Sequence, residues 1–449
     1  MTDLAPGALR GVAPATPAID ITPPGTPLDA SIALDGGKHA FAHSLAGAAL
    51  AEWGVLRNVP DHIDAQALRA GLRTIFDDVR YDPGTRVLEF GDPRHGGQVV
   101  LPPELTSRSR SLFCLYPALL LRADEVVVHA APRGCAIGTR PTAWYLQVLE
   151  QFGVRVDESD RRLRMRWPRR RAARIEFTYP TMTGTVLAIA AAAASEGTST
   201  ITGASVEPSC DEQVDCLRAM GTAVHGTLPE LAVTGQGGVA SVDWRVAHDR
   251  IHAVTYATAA LLTRGRATVV GSGPMRIPRF VEFLRATGCT ATEGADRLTV
   301  EFPSGGALNA VELQVGSEPL FSSDWAPLAA LLLSLRSRGT SVLVDDVFGE
   351  RFQFADRLHP HGLGPVDRAA TTVRGRPAVR AVVTGAPDTR LDPSVYETCP
   401  DIRGSVAIAV AALAAAGPCR VVDDFHIRRG HTDLTGDLRA LGVDARRNA

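Results

Sequence analysis

Residues 185–205, TVLAIAAAAASEGTSTITGAS, contain the pattern on which the architecture depends. The first ten residues are almost all apolar and small, so a helix formed by them has no polar face and must be covered on every side. Ser195, Glu196 and Gly197 interrupt this run, and a segment rich in threonine and β-branched residues follows. The stretch therefore predicts a buried helix followed directly by a β-strand.

The same pattern recurs along the chain, which indicates internal repeats. Four further copies and one weaker copy are SLAGAALAEWGVLRNVP, TYATAALLTRGRATVVGSG, LAALLLSLRSRGTSVLVDDV, VAIAVAALAAAGPCRVVDDF and CLYPALLLRADEVVVHAA. Most copies precede a second, amphipathic helix that ends at a glycine, where we expect a positive φ at the helix C-terminus; these glycines are Gly153, Gly221, Gly288 and Gly442. Six units with buried helices and outer sheets divide naturally as three plus three.

Composition places the chain among ordinary globular proteins and restricts its partners. Of its 449 residues, 45% are hydrophobic and 21% are charged, and the net charge is −2, which favours neither nucleic acid nor a membrane as partner. The basic run RRLRMRWPRRRAAR, residues 161–174, alternates with a period of two and predicts an exposed strand and a loop. Seven scattered cysteines without CxxC spacing argue against a zinc site and a disulfide framework, and favour a cytoplasmic location.

Several segments resemble, in chain order, the enolpyruvyltransferases and specifically their UDP-N-acetylglucosamine branch. They are GGKHAFAHSLAGAALAEWGVLRNVP, GCAIGTRP, DRIHAVTYATAALL, SSDWAPLAALLL, FGERFQFADRL and PDIRGSVAIAVAALAAAGPCRVVDDFHIRRGHTDLTGDLRALG. The resemblance implies a two-domain, inside-out, barrel-like α/β fold of six βαβαββ-type units, with the active site in the cleft between the domains. We expect a flexible leader over 1–20, a strand within 21–36 that joins the second domain, a first domain over 37–243 and a second over 244–449.

The reaction implied by the resemblance is transfer of the enolpyruvyl group of phosphoenolpyruvate to a hydroxyl, with loss of phosphate and without a metal or an organic cofactor. Cys135 matches the family cysteine that protonates C3, can form an adduct with phosphoenolpyruvate and is alkylated by fosfomycin. We expect the neighbouring Arg133 and Arg140 to lower its pKa. From residue type alone, Cys135 is equally a buried structural cysteine.

A general base and several cations complete the implied chemistry. Asp324 matches the carboxylate that contacts the acceptor hydroxyl, although a helix N-cap is the plain alternative at this position. Lys38 is expected to act in catalysis and in binding. The residues expected to bind phosphoenolpyruvate are Lys38, Arg140, Arg351, Arg403 and Arg429.

The acceptor side departs from the pattern of the cell-wall enzymes. His39 replaces an asparagine, PTAWYL replaces a segment with an aspartate and a final histidine, and TMTGT replaces a small-residue turn that binds a diphosphate. The residues expected to contact the acceptor are His39, Arg110, Arg140, Pro141, Thr142, Trp144, Thr181, Thr183, Gly184 and Asp324.

These departures predict an acceptor other than UDP-N-acetylglucosamine, because polar groups left without partners penalise the original substrate. The combination resembles the enolpyruvyltransferases of peptidyl-nucleoside antibiotic pathways, which act on the 3′-hydroxyl of UMP. The alternatives are a divergent cell-wall enzyme and a catalytically silent, nucleotide-binding paralogue; a shikimate-3-phosphate acceptor fits the cysteine loop less well.

Overall fold

The computed structural model describes residues 17–129, 134–138, 142–159 and 162–448. Up to residue 245 the helices are α1 (Lys38–Ala48), α2 (Ile63–Leu72), α3 (Pro103–Thr106), α4 (Tyr116–Arg122), α5 (Ala143–Gln151), α6 (Met182–Ala194) and α7 (Pro208–Ala219). The strands of this part are β1 (Ala18–Thr22), β2 (Asp29–Ala33), β3 (Ala51–Arg57), β4 (Phe76–Asp82), β5 (Val87–Pro93), β6 (Gln98–Leu101), β7 (Glu125–Val128), β8 (Arg155–Ser159), β9 (Arg162–Arg166), β10 (Arg174–Glu176), β11 (Glu196–Thr202), β12 (Ala223–Thr227), β13 (Glu230–Gln236) and β14 (Val239–Arg245).

The remaining chain contains elements of the same kinds. Its helices are α8 (Arg250–Leu262), α9 (Pro278–Ala286), α10 (Ala326–Arg336), α11 (Phe354–Leu358), α12 (Ile402–Ala411), α13 (Phe425–Arg428) and α14 (Leu434–Ala440). Its strands are β15 (Arg266–Val270), β16 (Thr290–Glu293), β17 (Arg297–Glu301), β18 (Leu308–Asn309), β19 (Glu312–Gly316), β20 (Phe321–Ser322), β21 (Ser337–Asp345), β22 (Val366–Val373), β23 (Arg376–Gly385), β24 (Val395–Glu397), β25 (Cys419–Val422) and β26 (Asp444–Asn448).

Two large, separate hydrophobic cores form among the described residues, and each surrounds three of the alanine-rich helices. Helices α1, α4 and α6 lie in the first core, and α8, α10 and α12 lie in the second. In α6, every residue from Gly184 to Ala194 is buried. The predicted burial of these helices is confirmed, since small side chains allow helices to approach one another closely beneath the outer sheets.

One pairing pattern recurs in the six sheets of the described residues, three around each core. A central strand pairs in parallel with one neighbour and antiparallel with a third strand, which itself pairs antiparallel with a fourth. The third and fourth strands form a hairpin in five of these sheets; in the sixth they are β1 and β26, from opposite ends of the chain. In the first core the sheets run β14-β3-β5-β4, β6-β7-β9-β8 and β10-β11-β13-β12; in the second they run β2-β15-β17-β16, β19-β21-β23-β22, with short β18 and β20 added, and β24-β25-β1-β26. The repetition expected from the sequence is therefore present in the strand pairing.

The chain passes between the two cores at two adjacent places. Strands β1 and β2 pair with strands of the second core, and the chain enters the first core at Gly37. It returns between β14 and α8, where Gly37 N donates to Ala247 O over 2.8 Å. Residues close to Gly37 and Ala247 therefore lie where the two halves of the molecule meet.

The observed elements shift two expected boundaries by a few residues. The expected leader, 1–20, extends too far, because β1 begins at Ala18 and both Ile19 and Ile21 are buried; residues 1–16 lie outside the described residues. The first half also ends later than residue 243, since β14 pairs with β3 as far as Arg245.

The basic run contains a strand, as expected, but this strand is only partly exposed. β9 lies between β7 and β8, and Met165 and Trp167 are buried. No helix among the described residues has both the length and the apolar character needed to cross a bilayer.

Candidate active site

Two adjoining cavities lie where the two halves face each other. The inner cavity, about 110 Å³, is lined by Lys38, Cys135, Asp324 and the arginines 351, 403 and 429, among others. The outer cavity, about 600 Å³, opens from it and is lined from one side by residues 178–183 and from the other by residues 316–324 and 346–351. His39, Arg110 and Thr183 line both. Small and strongly charged, the inner cavity suits a compact anion, and the outer one suits a larger molecule.

Lys38 and Arg429 share one buried carboxylate in the inner cavity. Lys38 is the first residue of α1, and its Nζ lies 2.6 Å from Asp64 Oδ2, while Arg429 Nε donates to Asp64 Oδ1 over 2.9 Å. Burial opposes ionisation of Asp64, but the two cations hold its pKa at about 2. Burial also lowers the pKa of Lys38. Two cations against one anion leave this wall with a surplus of positive charge, as an anionic substrate requires.

Arg351 and Arg403 are held by carboxylates on the opposite side of the inner cavity. Arg351 Nη1 donates to Asp401 Oδ1 over 2.8 Å, and its Nη2 donates to Asp324. Arg403 Nη2 donates to the other oxygen of Asp324 over 2.9 Å. Both guanidinium groups are almost completely buried. Their charges overcome the effect of burial and hold the pKa of Asp324 well below its ordinary value.

The carboxylate of Asp324 is not a helix cap. Asp324 lies in a short 3₁₀ turn, Ser323–Trp325, whose cap is the hydroxyl of Ser322, and α10 follows with no side-chain cap. Asp401 instead caps its own helix, α12, by accepting from Gly404 N over 2.9 Å. The side chain of Asp324 is thus available to the cavity, where it is 17% exposed.

Cys135 contacts the second half of the molecule through its sulfur. Ile402 N donates to Sγ over 3.3 Å, and Arg429 Nη1 lies 3.8 Å from Sγ. Burial raises the pKa of the thiol, and the charge of Asp401 adds to this effect against those of Arg429 and Lys38. The expectation of a lowered pKa is therefore wrong for the described surroundings; Arg133 and Arg140, on which it rested, lie outside the described residues. A protonated thiol is suited to donate a proton.

The segment around Cys135 bridges the cleft. Ala136 N donates to Pro400 O over 2.8 Å, and Gln353 Nε2 donates to Ala136 O over 3.1 Å. Because these partners belong to the second half, the cysteine reaches the inner cavity when the two halves are close together.

The outer cavity contains most of the described residues expected to contact the acceptor. His39 lies beside Asp324, and burial lowers its pKa to about 3, so the imidazole is neutral at physiological pH. The guanidinium carbon of Arg110 lies 5.3 Å from the ring centroids of Phe113 and Tyr145. Trp144 is 51% exposed at the rim. Thr181 and Thr183 lie at the N-terminus of α6.

Four other expected acceptor residues remain, and the structure describes two of them. Arg140 and Pro141 lie outside the described residues. Thr142 precedes α5 at its N-cap position. Gly184 is buried beneath the cavity wall, where a Cβ would lie 2.6 Å from the Thr181 methyl group and 3.0 Å from the Phe177 ring. It therefore permits close packing under the site rather than lining it.

Sequence reasoning missed two carboxylates, Asp64 and Asp401. Asp401 left a signal, because an aspartate three residues before a glycine at the start of an alanine-rich helix is a typical N-cap. Asp64 left none, since its partner Arg429 is 365 residues away. Arg376 and Tyr179 of the outer cavity were missed as well.

Comparison with known proteins identifies the family. The family model of EPSP synthase (3-phosphoshikimate 1-carboxyvinyltransferase) matches residues 22–438. The UDP-N-acetylglucosamine 1-carboxyvinyltransferase of Afipia carboxidovorans is 31% identical over 440 residues, covering 94% of this chain and 97% of that protein. A second relative, UDP-N-acetylglucosamine 1-carboxyvinyltransferase 1 of Symbiobacterium thermophilum, is 31% identical and covers 93% and 92%.

Solved structures share the whole fold. The enolpyruvyl transferase NikO of Streptomyces tendae superimposes with a TM-score of 0.80 at 24% identity, covering 97% of this chain and 99% of its own. EPSP synthase of Acinetobacter baumannii superimposes with a TM-score of 0.70 at 16% identity, covering 97% and 100%. With the sequence relationship extending across both halves and the cleft between them, the chain belongs to the EPSP synthase family and is an enolpyruvyltransferase.

Proposed function

We propose that the protein transfers the enolpyruvyl group of phosphoenolpyruvate to a hydroxyl of a uridine nucleotide, the 3′-hydroxyl of UMP, and releases phosphate. One observation carries the proposal: all the described residues expected to act on phosphoenolpyruvate line a single small cavity. The expected departures of the sequence from the cell-wall enzymes, at His39 and in residues 142–145, favour a different acceptor. The inner cavity supplies cations for the phosphate and the carboxylate. The outer cavity then receives the acceptor.

In the first half-reaction the acceptor oxygen bonds to C2 of phosphoenolpyruvate, and C3 gains a proton. The thiol of Cys135, protonated because burial raises its pKa, supplies that proton. Asp324, at the junction of the two cavities, receives the proton of the acceptor hydroxyl. The product is a tetrahedral ketal that still carries phosphate.

In the second half-reaction the bond between C2 and the phosphate oxygen breaks. C3 returns a proton to the sulfur of Cys135, and the C2–C3 double bond forms again. Lys38 and Arg429 stabilise the departing phosphate, and Arg351 and Arg403 bind the carboxylate. The enzyme regains its starting protonation once Asp324 has released its proton to the departing phosphate or to water.

The acceptor wall supports a uridine nucleotide other than UDP-N-acetylglucosamine. His39 presents a neutral imidazole beside Asp324, and Trp144 and Tyr145 present aromatic surface to the outer cavity. Aromatic groups bind planar bases by stacking, and the N-terminus of α6 favours a phosphate. These features provide for a base and a phosphate without requiring the contacts of an N-acetylated sugar.

A second candidate is UDP-N-acetylglucosamine as the acceptor. It is favoured by the names of the curated relatives, which cover almost the whole chain at 31% identity. Under this alternative, the substitutions at His39 and in residues 142–145 are neutral changes in a cell-wall enzyme. The two candidates share the same phosphoenolpyruvate chemistry and differ in the outer cavity.

Phosphate release with phosphoenolpyruvate distinguishes these candidates when UMP, UDP and UDP-N-acetylglucosamine are supplied in parallel and the mass of each product is recorded. We expect turnover with UMP and a product heavier by one enolpyruvyl group. Turnover with UDP-N-acetylglucosamine alone would replace the first candidate by the second. Cys135→Ala is the control, since any phosphate released by this variant comes from another activity.

A further inference from the structure

Arg376 reaches the outer cavity from a tight turn in the second half of the molecule. It is the first residue of β23, next to Arg374 and Gly375, which both have positive φ. Its Nη2 lies 3.0 Å from Asp346 Oδ2, and the carboxylate of Asp346 is only 5% exposed. A buried partner and a short hairpin turn together hold this guanidinium in a defined place.

The guanidinium of Arg376 lies over an aromatic ring from the first half. Its central carbon is 4.5 Å from the ring centroid of Tyr179. The Tyr179 hydroxyl also crosses the cleft to within 3.1 Å of Ser317 Oγ. Arg376 and Tyr179 therefore form a pair across the cleft, which we call the Arg376–Tyr179 pair.

This pair is connected directly to the N-terminus of α6. Thr181 N donates to the carbonyl of Tyr179 over 2.8 Å, so the backbone turns sharply between the ring and the first residues of the helix. The free N–H groups at the start of a helix of this length favour an anion. Arg376 adds a full positive charge beside them, 40% exposed and facing the same cavity.

Several other charged groups around the outer cavity are engaged with one another. Arg351 bonds both Asp324 and Asp401. Two carboxylates, Glu207 and Glu318, share Arg250, with oxygen to nitrogen distances of 2.5 and 2.9 Å. Arg376 has one carboxylate partner, and its guanidinium carries five N–H donors, so it can bind Asp346 and an anion at the same time.

We propose that Arg376 determines acceptor specificity by binding the phosphate of the acceptor nucleotide, together with the N-terminus of α6. This inference rests on the proposed function, which it extends from the reacting hydroxyl to the other end of the acceptor. Asp324 and Arg376 line the same cavity, which places both within reach of a single nucleotide bound there. An acceptor without a phosphate loses the contact with Arg376 and keeps that with Asp324.

The test compares UMP with uridine in the wild type, Arg376→Ala and Arg376→Lys. We expect Arg376→Ala to lower kcat/KM for UMP by about ten- to a hundredfold, as the loss of a hydrogen-bonded charge pair does, mainly through KM. The value for uridine and the KM for phosphoenolpyruvate should change little. Arg376→Lys keeps the positive charge but loses the forked arrangement of N–H donors. Its kcat/KM for UMP should therefore lie between those of the wild type and Arg376→Ala.

Arg380→Ala is the matched control. Arg380 lies on the same strand, β23, and is exposed outside the cavity. The Arg380→Ala variant removes the same charge from the same strand, so it controls for long-range electrostatic effects. It should leave the ratio of kcat/KM for UMP to kcat/KM for uridine unchanged. An equal loss for UMP and uridine in Arg376→Ala, or no loss at all, would overturn the inference and leave the proposed function standing.

Binding of UMP, measured by calorimetry in the presence of phosphoenolpyruvate, separates the two claims. If the wild type binds UMP without turnover and Arg376→Ala binds it more weakly, the phosphate contact is supported and UMP is wrong as the acceptor. If the wild type does not bind UMP, both the inference and the proposed acceptor fail.

Discussion

Arg403 donates a hydrogen bond of 2.9 Å to Oδ2 of Asp324, while Arg351 bonds the other oxygen of the same carboxylate. The expected base is thus paired with the two cations that we expect to bind the carboxylate of phosphoenolpyruvate. An incoming carboxylate competes with Asp324 for these arginines. We therefore expect binding of phosphoenolpyruvate to weaken the pairing of Asp324 and to raise its basicity before the acceptor hydroxyl reacts.

Asp324→Asn should separate catalysis from binding. The amide cannot take the proton, so kcat should fall by about 10²- to 10⁴-fold. The KM for phosphoenolpyruvate should not rise, because Arg351 and Arg403 lose a competing anion. Steady-state kinetics check both values. Asp401→Asn is the comparison: it disturbs Arg351 and the cap of α12 and should raise that KM. A raised KM with unchanged kcat in Asp324→Asn would contradict the role of base.

Cys135→Ala should abolish or sharply reduce turnover and leave the fold intact, whereas Cys135→Asp should keep activity because a carboxylic acid can protonate the same carbon. Phosphate release and circular dichroism provide the measurements. Equal activity in the alanine variant and the wild type would refute the role of proton donor.

The raised pKa of Cys135 also predicts how the thiol reacts with alkylating agents. Since the thiolate is the nucleophile, modification by iodoacetamide or fosfomycin should be slow at neutral pH and should accelerate as the pH rises beyond the ordinary value of 9.0. Intact mass measured over a pH series detects the adduct. The other cysteines are buried, so Cys135→Ala supplies the background. Rapid modification at pH 7 would show that the thiol is not held protonated.

The lowered pKa of Asp64 should make the free energy of unfolding depend on pH in the acid range. Its pKa falls from 3.8 to about 2 on folding, which corresponds to about 2 kcal/mol at 1.4 kcal/mol per unit. Because the folded value is the lower one, this stabilisation is complete above about pH 4 and disappears as the pH falls through about 2. Denaturant unfolding at several pH values measures it.

Asp64→Asn should flatten this acid dependence and cost about 3 kcal/mol or more at pH 7, because Lys38 and Arg429 remain buried without their carboxylate. The control is Asp243→Asn, which removes an equally well-formed pair with Arg57 at the surface and should cost far less, because solvent screens an exposed ion pair. Similar losses in the two variants would contradict the importance of burial at Asp64.

Enlarging an alanine of the first core should test the packing of the buried helices. Ala191 in α6 is completely buried, and Ala191→Leu should cost about 1–3 kcal/mol or more in unfolding free energy, since the core has no space for three added carbons. Ala240→Leu, at an exposed position of β14, should have little effect. A tolerated leucine at position 191 would indicate looser packing than the structure has.

Much of the fold could be predicted from the sequence, because short local patterns determine where its helices are buried and where they end. Alanine-rich helices have no polar face, and Gly153, Gly221, Gly288 and Gly442 end the outer helices with φ values of 98°, 87°, 93° and 91°. β1 was missed because prolines and alanines surround it, although Ile19 and Ile21 alternate as in a strand. The resemblance to the family identified six of the described residues that line the inner cavity, which are Lys38, Cys135, Asp324, Arg351, Arg403 and Arg429. The role of Asp64 could not be predicted from the sequence, because it depends on ion pairs with Lys38 and with Arg429, which is 365 residues away.

The pairing of β1 between β25 and β26 determines the order in which the protein can be completed during synthesis. Ala18 pairs with Val422 and Asn448, so this strand is made before its two neighbours by about the length of the whole chain. The first core contains its own strands as far as Arg245 and can fold while the rest is still being translated. The last sheet must wait for the C-terminal strands, and until then a ribosome-bound chain carries β1 unpaired.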